Sequence, residues 1–366
     1  MLSLVQMTVA KLLRTQAVRS CCLWATSARS CADAASFRNM SVVLDDQRAG
    51  PLRQSAVLRV RLPCSLAISA VDVGDDSAAV TATLMGARPQ LFLGGESPIA
   101  LSIDATGAAH LSMTGSVDGG AAARPDLLCR LRVPFMTSID VDLSGCAQAT
   151  LENLVLDQCR IRTDGSGDIT LSNVKANAVM LSVENGSIKA TGAVQGNLEA
   201  VAQGSGGFKA QRFLANCLKV KTSAGQQQMS AVYAEKACLD STEGAIHIGT
   251  LHSQDAALTS ESGAITLGGL DGERCVVTTD SGDVSVVVTH SQHLSIATES
   301  GNVTLSLSAP CNVNADAPVM KSDFDDLSPE AVHSPTEPQI TAKTRFGSVI
   351  IKKQDWITSL NLSGGG

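Results

Sequence analysis

Aromatic side chains are scarce in this chain of 366 residues and make up 3% of it. Trp24, Trp356 and Tyr233 are its only tryptophan or tyrosine residues. The core must therefore be filled mainly by valine, isoleucine, leucine, alanine and threonine. Side chains of this size suit a narrow interior built in layers.

Proline is missing between Pro134 and Pro310, and no stretch approaches 18 uninterrupted apolar residues. A long stretch without proline that is rich in β-branched residues favours continuous strands over loops. The absence of a long apolar run argues against a membrane span.

None of the eleven cysteines forms a CxxC pair. A zinc site or a thioredoxin-like motif therefore has no support. The sequence predicts free, mostly buried thiols in a reducing compartment.

The first 38 residues contain five basic residues and one acidic residue, Asp33. They can be drawn as a helix with an apolar side and a basic flank, which is typical of a mitochondrial transit peptide. A secretory signal is the alternative, but Lys11 and Arg14 interrupt its apolar run. We expect a transit peptide over residues 1–44 and a mitochondrial location, with secretion as the alternative.

The whole chain carries a net charge of −7, from 28 basic and 35 acidic residues. Without the basic leader it would be more acidic still. An acidic surface argues against nucleic acid and anionic lipid as partners, because both need basic faces. The expected partner is another protein or a second copy of the chain.

A short motif recurs every nineteen residues, as SESGAITL (260–267), TDSGDVSV (279–286) and TESGNVTL (298–305). Apolar residues recur two and four residues after its glycine and, from Gly186 onwards, five residues before it. Only Gln227 breaks these columns. The glycines follow one another at intervals of 19 or 20 residues: Gly167, Gly186, Gly206, Gly225, Gly244, Gly263, Gly282 and Gly301.

Each repeat has room for two short strands around its glycine turn and none for a helix. Glycine is expected at the turn because the corner needs a backbone angle that a Cβ would oppose. Two such strands are unstable alone, but stacked copies can pair about 4.8 Å apart and align their aliphatic side chains. The sequence therefore predicts an all-β, parallel β-solenoid (β-helix) of roughly 19-residue coils.

The repeats divide the rest of the chain. An open solenoid end would expose unpaired strand edges, so we expect a β-rich N-terminal cap. TRFGSVIIKK (344–353) restores the motif late in the chain and is expected to close the far end. The predicted parts are a β-rich N-terminal region or cap (45–125), solenoid repeats (126–308), an acidic, proline-rich loop insertion (309–340), and a terminal coil and tail (341–366).

VPFMTSIDVDLSG (133–145), followed by repeated S-G-[AND]-[IV]-[TS]-[LV] units, resembles the adhesin-like β-solenoid family. The resemblance covers roughly residues 55–310 and 340–353. It implies a right-handed parallel solenoid and supplies no catalytic motif. Fold alone does not define an activity. The resemblance therefore implies a scaffold or interaction protein without naming its partner.

Glu261, Asp280 and Glu299 lie two residues before the glycine in three consecutive repeats. Stacking would place these carboxylates about 5 Å apart, where they repel one another or collect a cation such as Ca²⁺. The simpler interpretation is that they are solvated turn residues, because the three preceding repeats have Thr242, Ser223 and Gly204 there and no continuous ladder of acids exists. We predict no metal site and no cofactor.

Four histidines are candidate metal ligands. His290 and His293 are three residues apart and would face different ways on a strand, and His247 and His252 lie two coils away. No third ligand is evident, so surface histidines without a metal or catalytic role are predicted.

A polysaccharide lyase or hydrolase on a solenoid would need acids and a base gathered in one groove. The repeats contain few basic residues; Arg212, Lys219, Lys221 and Lys236 could form a small basic spot. We therefore predict a non-enzymatic scaffold with no catalytic or cofactor-binding residues. The alternative is a carbohydrate-active enzyme or a carbohydrate-binding module, which a groove holding three or more acids and a base would favour.

Overall fold

The computed structural model describes residues 42–51, 56–71, 79–86, 98–114, 124–308, 311–324 and 338–354. Every regular element in these ranges is a β-strand, which confirms the predicted all-β solenoid of about nine turns. None of these residues belongs to a helix that could cross a membrane. Most of the predicted leader lies outside the described residues, so the transit peptide stays a prediction.

The solenoid strands form the central part of the chain, with one long strand per coil. They are β9 (Ala149–Asp164), β10 (Ile169–Val183), β11 (Ile188–Ala202), β12 (Phe208–Thr222), β13 (Gln227–Ser241), β14 (Ile246–Ser260), β15 (Ile265–Thr279), β16 (Val284–Thr298) and the shorter β17 (Val303–Leu307).

Shorter strands form the two ends. Before the long strands come β1 (Val42–Pro51), β2 (Val57–Leu62), β3 (Cys64–Ala70), β4 (Ala79–Gly86), β5 (Ile99–Ile103), β6 (Ala109–Met113), β7 (Arg124–Val133) and β8 (Thr137–Ser144). After them come β18 (Asn312–Asp316), β19 (Val319–Ser322), β20 (Gln339–Thr344) and β21 (Ser348–Lys353).

Successive coils pair in parallel, each with its copy in the next turn. Ile246 pairs with Ile265, Ile265 with Val284, and Val284 with Val303. These four side chains are at most 1% exposed. The predicted aliphatic ladders are therefore present, and burying them supplies the main driving force for stacking.

Each coil contains one long bent strand rather than the two short strands that were predicted. The pairing of β10 with β11 shifts between Ser172 and Val174 and again between Lys175 and Ala178. Asn173 stands at this bend with φ 52°. Such irregularities turn the backbone while most of the ladder hydrogen bonds continue.

The repeat glycines are needed for a different reason from the one predicted. Gly282 does not have a positive φ, so the expected backbone angle is wrong. Instead, a Cβ built on Gly282 would lie 2.2 Å from the carbonyl oxygen of Gly263 in the coil before it. Glycine is required because consecutive turns approach each other too closely for a side chain.

A hydroxyl residue three positions before the glycine fixes the later turns, at Gly263, Gly282, Gly301 and Gly347. The backbone N–H of Gly263 donates to Ser260 Oγ at 2.9 Å, and that of Gly301 donates to Thr298 Oγ1 at 3.0 Å. This bond explains why the motif begins with serine or threonine.

The N-terminal end combines parallel and antiparallel pairing. β2 pairs with β8 and β3 with β7 and β9, all in parallel. The segment β2–Pro63–β3 therefore lies against the segment β7–Pro134–β8. β1, β4 and β7 then form antiparallel pairs, as do β5 and β6. Antiparallel strands thus form the outermost described pairs at this end of the stack.

The C-terminal coils are not stacked in chain order. β20 pairs with both β16 and β18, and β21 pairs with both β17 and β19. The late motif at 344–353 therefore lies inside the stack, and the expectation that it closes the far end is wrong. β18 and β19 form the outermost described coil, and both lie within the segment predicted as a loop insertion.

The cysteines of the described residues are free thiols. Cys64, Cys129, Cys159 and Cys275 are buried, while Cys146 and Cys238 are exposed. Burial raises the pKa of Cys159 and of Cys275 to about 12. These thiols therefore stay protonated and act as small apolar core residues.

Candidate binding groove

The three acids of the glycine turns do stack. The N–H of Asp280 donates to the carbonyl of Glu261 at 3.1 Å, and the N–H of Glu299 donates to that of Asp280 at 3.0 Å. All three residues are exposed. The next residue of the column is Arg345, whose Nη1 lies 3.2 Å from Glu299 Oε1. The described residues contain no group of three or more potential ligands that could hold a metal ion.

The four basic residues do not gather into one spot. They occupy different columns of the solenoid, and Arg212 pairs in register with Ala231 rather than with a charged residue. Lys221 forms an ion pair with Asp240 at 3.1 Å.

Two of the four histidines lie in one column, which the sequence analysis did not recognise. His252 pairs in register with Asp271, and Asp271 pairs with His290. His293 lies in another column opposite Arg274, and His247 lies opposite Thr266.

The polar part of the column begins with Tyr233, which pairs in register with His252. The two rings are stacked, with centroids 4.9 Å apart and planes 7° from parallel. On the following coil, Asp271 Oδ2 lies 2.9 Å from His252 Nδ1. Tyr233, His252, Asp271 and His290 thus follow one another on four consecutive coils.

A second column runs beside the first, two residues further along each strand. It alternates acid and amide, as Glu235, Gln254, Glu273 and Gln292. The two columns line a shallow, open groove of about 460 Å³ that runs along the stack. We call it the bend groove; its lining residues are Ala215, Tyr233, Ala234, Glu235, His252, Ser253, Gln254, Asp271, Gly272, Glu273, His290 and Gln292.

Small residues between the columns make the bend groove concave. Ala234, Ser253 and Gly272 stand in register there. A Cβ on Gly272 would lie 2.1 Å from the carbonyl oxygen of Ser253. The backbones therefore approach closely at the floor of the groove, while longer side chains rise on either side.

The bend groove is acidic. Three carboxylates line it, and no lysine or arginine is among its lining residues. Glu235 and Glu273 have no salt-bridge partner within the described residues. Lys236 and Arg274 lie in the flanking column, where Arg274 Nη1 is 4.0 Å from Asp255 Oδ1.

The signal that could have revealed the groove is the nineteen-residue period itself. Residues 233, 252, 271 and 290 are separated by nineteen, as are residues 235, 254, 273 and 292. Apolar residues and the acids of the turns show this period clearly, whereas the polar residues of the bend share the period without sharing a residue type.

Two family matches cover parts of the solenoid. Residues 196–337 match the family described as "Toastrack DUF4097", and residues 129–237 match "Putative auto-transporter adhesin, head GIN domain". Each match spans less than half of the chain. Together they support similarity to an adhesin-like family, and the bend groove lies within the first match.

Two solved structures are also similar over most of the chain. One is described as a putative cell adhesion protein from Clostridium sporogenes ATCC 15579, with 10% identity, a TM-score of 0.21, and coverage of 85% of this chain and 99% of that one. The other is a putative adhesin from Bacteroides fragilis NCTC 9343, with 12% identity, a TM-score of 0.24, and coverage of 85% and 96%. Because both TM-scores are below 0.5, neither likeness supports an argument about function.

Proposed function

We propose that this protein is a non-enzymatic, adhesin-like solenoid scaffold that holds a protein partner in the bend groove. One observation carries the proposal: four consecutive coils present polar side chains in register along a single concave surface. A stack of paired coils is rigid along the stacking direction, so the groups that contact a partner are held in place before binding. Similarity to adhesin-like families supports an interaction role.

The carbohydrate-active alternative has one observation in its favour, since the bend groove gathers three carboxylates and two imidazoles. Two other observations favour binding. Tyr233 is the one phenylalanine, tyrosine or tryptophan among the residues that line the groove, and His252 covers one face of its ring, so the groove lacks the several aromatic platforms typical of a polysaccharide site. No lysine or arginine lines the groove to stabilise an anionic intermediate. Release of reducing ends or unsaturated sugars from a panel of polysaccharides would replace our proposal with the alternative.

The proposed location is the mitochondrion, supported by the basic, acid-poor composition of the leader. A basic leader followed by a solenoid is also similar to the eukaryotic protein called "family with sequence similarity 185, member A", and that relationship is part of the proposal. Fusion of residues 1–44 to a fluorescent reporter tests the location. Entry of the reporter into the secretory route would overturn it and leave the groove unaffected.

A photo-crosslinking residue at position 254 is expected to capture the partner in intact cells. Gln254 is exposed in the middle of the bend groove. Gln228 is a matched control, because it is also an exposed glutamine of the solenoid but is not among the groove residues. We expect one recurrent protein adduct, identified by mass spectrometry, from position 254 and not from position 228. The same adducts from both positions would contradict a role for the groove.

A further inference from the structure

We propose that the bend groove binds an extended peptide in the polyproline II conformation that carries basic side chains three residues apart. This inference rests on the proposed function and names the chemistry of the partner. It follows from the spacing of the carboxylates, the exposed side chains of Tyr233 and Leu214, and the charge of the groove.

The spacing comes from Glu235 and Glu273. They lie two coils apart, each between residues that are in register: Ala234, Ser253 and Gly272 on one side, and Lys236, Asp255 and Arg274 on the other. With about 4.8 Å between neighbouring strands, they are separated by roughly 9.6 Å along the stack. A polyproline II helix rises 3.1 Å per residue and has three residues per turn, so its residues i and i+3 share a face about 9.3 Å apart. In a β-strand, the nearest residues on one face are only about 6.7 Å apart.

The apolar contact comes from the start of the groove. Tyr233 is 40% exposed, and Leu214, its partner in register on the preceding coil, is also 40% exposed. The ring is held by its stacking on His252. Proline-rich segments commonly dock against aromatic surfaces of this kind, because their backbone is already extended and loses little entropy on binding.

The polar groups of the groove fit the same ligand. Glu235 and Glu273 have no salt-bridge partner in the described part of the chain, whereas Asp271 is engaged by His252. The two glutamates are thus the carboxylates left for a basic ligand. A polyproline II backbone makes no internal hydrogen bonds, so its carbonyl groups can accept from the amides of Gln254 and Gln292.

Two synthetic peptides of identical composition test the spacing. KPPKPP places its lysines three residues apart, and KPKPPP places them two apart. In fluorescence anisotropy with the full chain at low salt, we expect KPPKPP to bind about fivefold more tightly, as expected for one additional exposed ion pair. The preference should weaken as salt is added, because the pairs are solvent-exposed.

Glu273→Gln is expected to remove the preference for KPPKPP, and Glu235→Gln is expected to do the same. Glu243→Gln is the control, since Glu243 is an exposed residue of a glycine turn outside the groove. It should keep the full preference. Circular dichroism would confirm that the three variants share one fold.

Equal binding of the two peptides, or no binding of either, would overturn the proposed ligand. So would a preference that survives both substitutions in the groove. The proposed function is tested independently, because its own experiment depends only on the adducts formed at position 254. A specific adduct together with equal peptide affinities would keep the groove as the binding surface and reject the basic polyproline II ligand.

Discussion

Replacing Gly282 by alanine is expected to lower the free energy of unfolding by about 3 kcal/mol. The added Cβ would lie 2.2 Å from the carbonyl oxygen of Gly263 and 2.7 Å from its carbonyl carbon. Both atoms belong to the backbone of the neighbouring coil, so no change of rotamer relieves the clash. The two coils would have to move apart, and the pairing around the turn would weaken.

Gly269→Ala is the matched control. Gly269 is also a glycine of the solenoid and lies in β15, the strand that precedes the turn at Gly282. There the nearest atom to an added Cβ is Thr289 Oγ1, at 3.6 Å, which is an ordinary contact. We expect a change within about 0.5 kcal/mol. Urea denaturation followed by circular dichroism measures both variants. Equal losses would show that glycine is not required by the approach of the coils.

Val277→Ala is expected to cost about 2 kcal/mol, since it removes two buried carbons and leaves a cavity. Val277 is 0% exposed and stands in an aliphatic ladder between Leu258 and Ile296. Its neighbour Val276 is 40% exposed on the same strand. Val276→Ala removes the same atoms from the outer face, so its effect should stay below about 0.5 kcal/mol.

The same denaturation experiment measures this pair. It tests the alternation of the strand directly, because the two substitutions are chemically identical and differ only in the face that they change. A larger loss for Val276→Ala than for Val277→Ala would mean that the strand is turned the other way.

The ladders could be predicted because the interior imposes one rule on every coil. Equivalent places in successive coils are occupied by Ile246, Ile265, Val284 and Val303. The nineteen-residue period is therefore visible in the sequence. The bend in each coil could not be predicted in this way. At its first coils the bend is formed by Asn153 and Asn173, both with φ 52°, and later coils have other residues there.

The bend groove escaped prediction for a related reason. Its first column contains a tyrosine, two histidines and an aspartate, so it shares no residue type that a motif search could follow. Its location depends on where the strand bends. Once the bend is known, the nineteen-residue period brings Tyr233, His252, Asp271 and His290 together without further information.

The order of the last coils could not be predicted from the sequence either. The segments 312–322 and 339–353 each supply two strands that pair in the same register columns. Apolar alternation shows that a segment can join the stack, but it does not show which of two segments lies outside. That choice depends on the edge each one leaves uncovered, and Met320 remains 55% exposed on the outer coil.

The central claim is that each turn of nineteen or twenty residues advances the stack by one strand spacing. Spin labels carried by unnatural amino acids can measure this in one outward-facing column, where Thr170, His247 and Ser285 lie in register. Four coils separate the first two residues, and six separate the first from the third. At about 4.8 Å per coil, double electron–electron resonance should give roughly 19 Å and 29 Å. Distances that do not grow in proportion to the number of coils would contradict the solenoid.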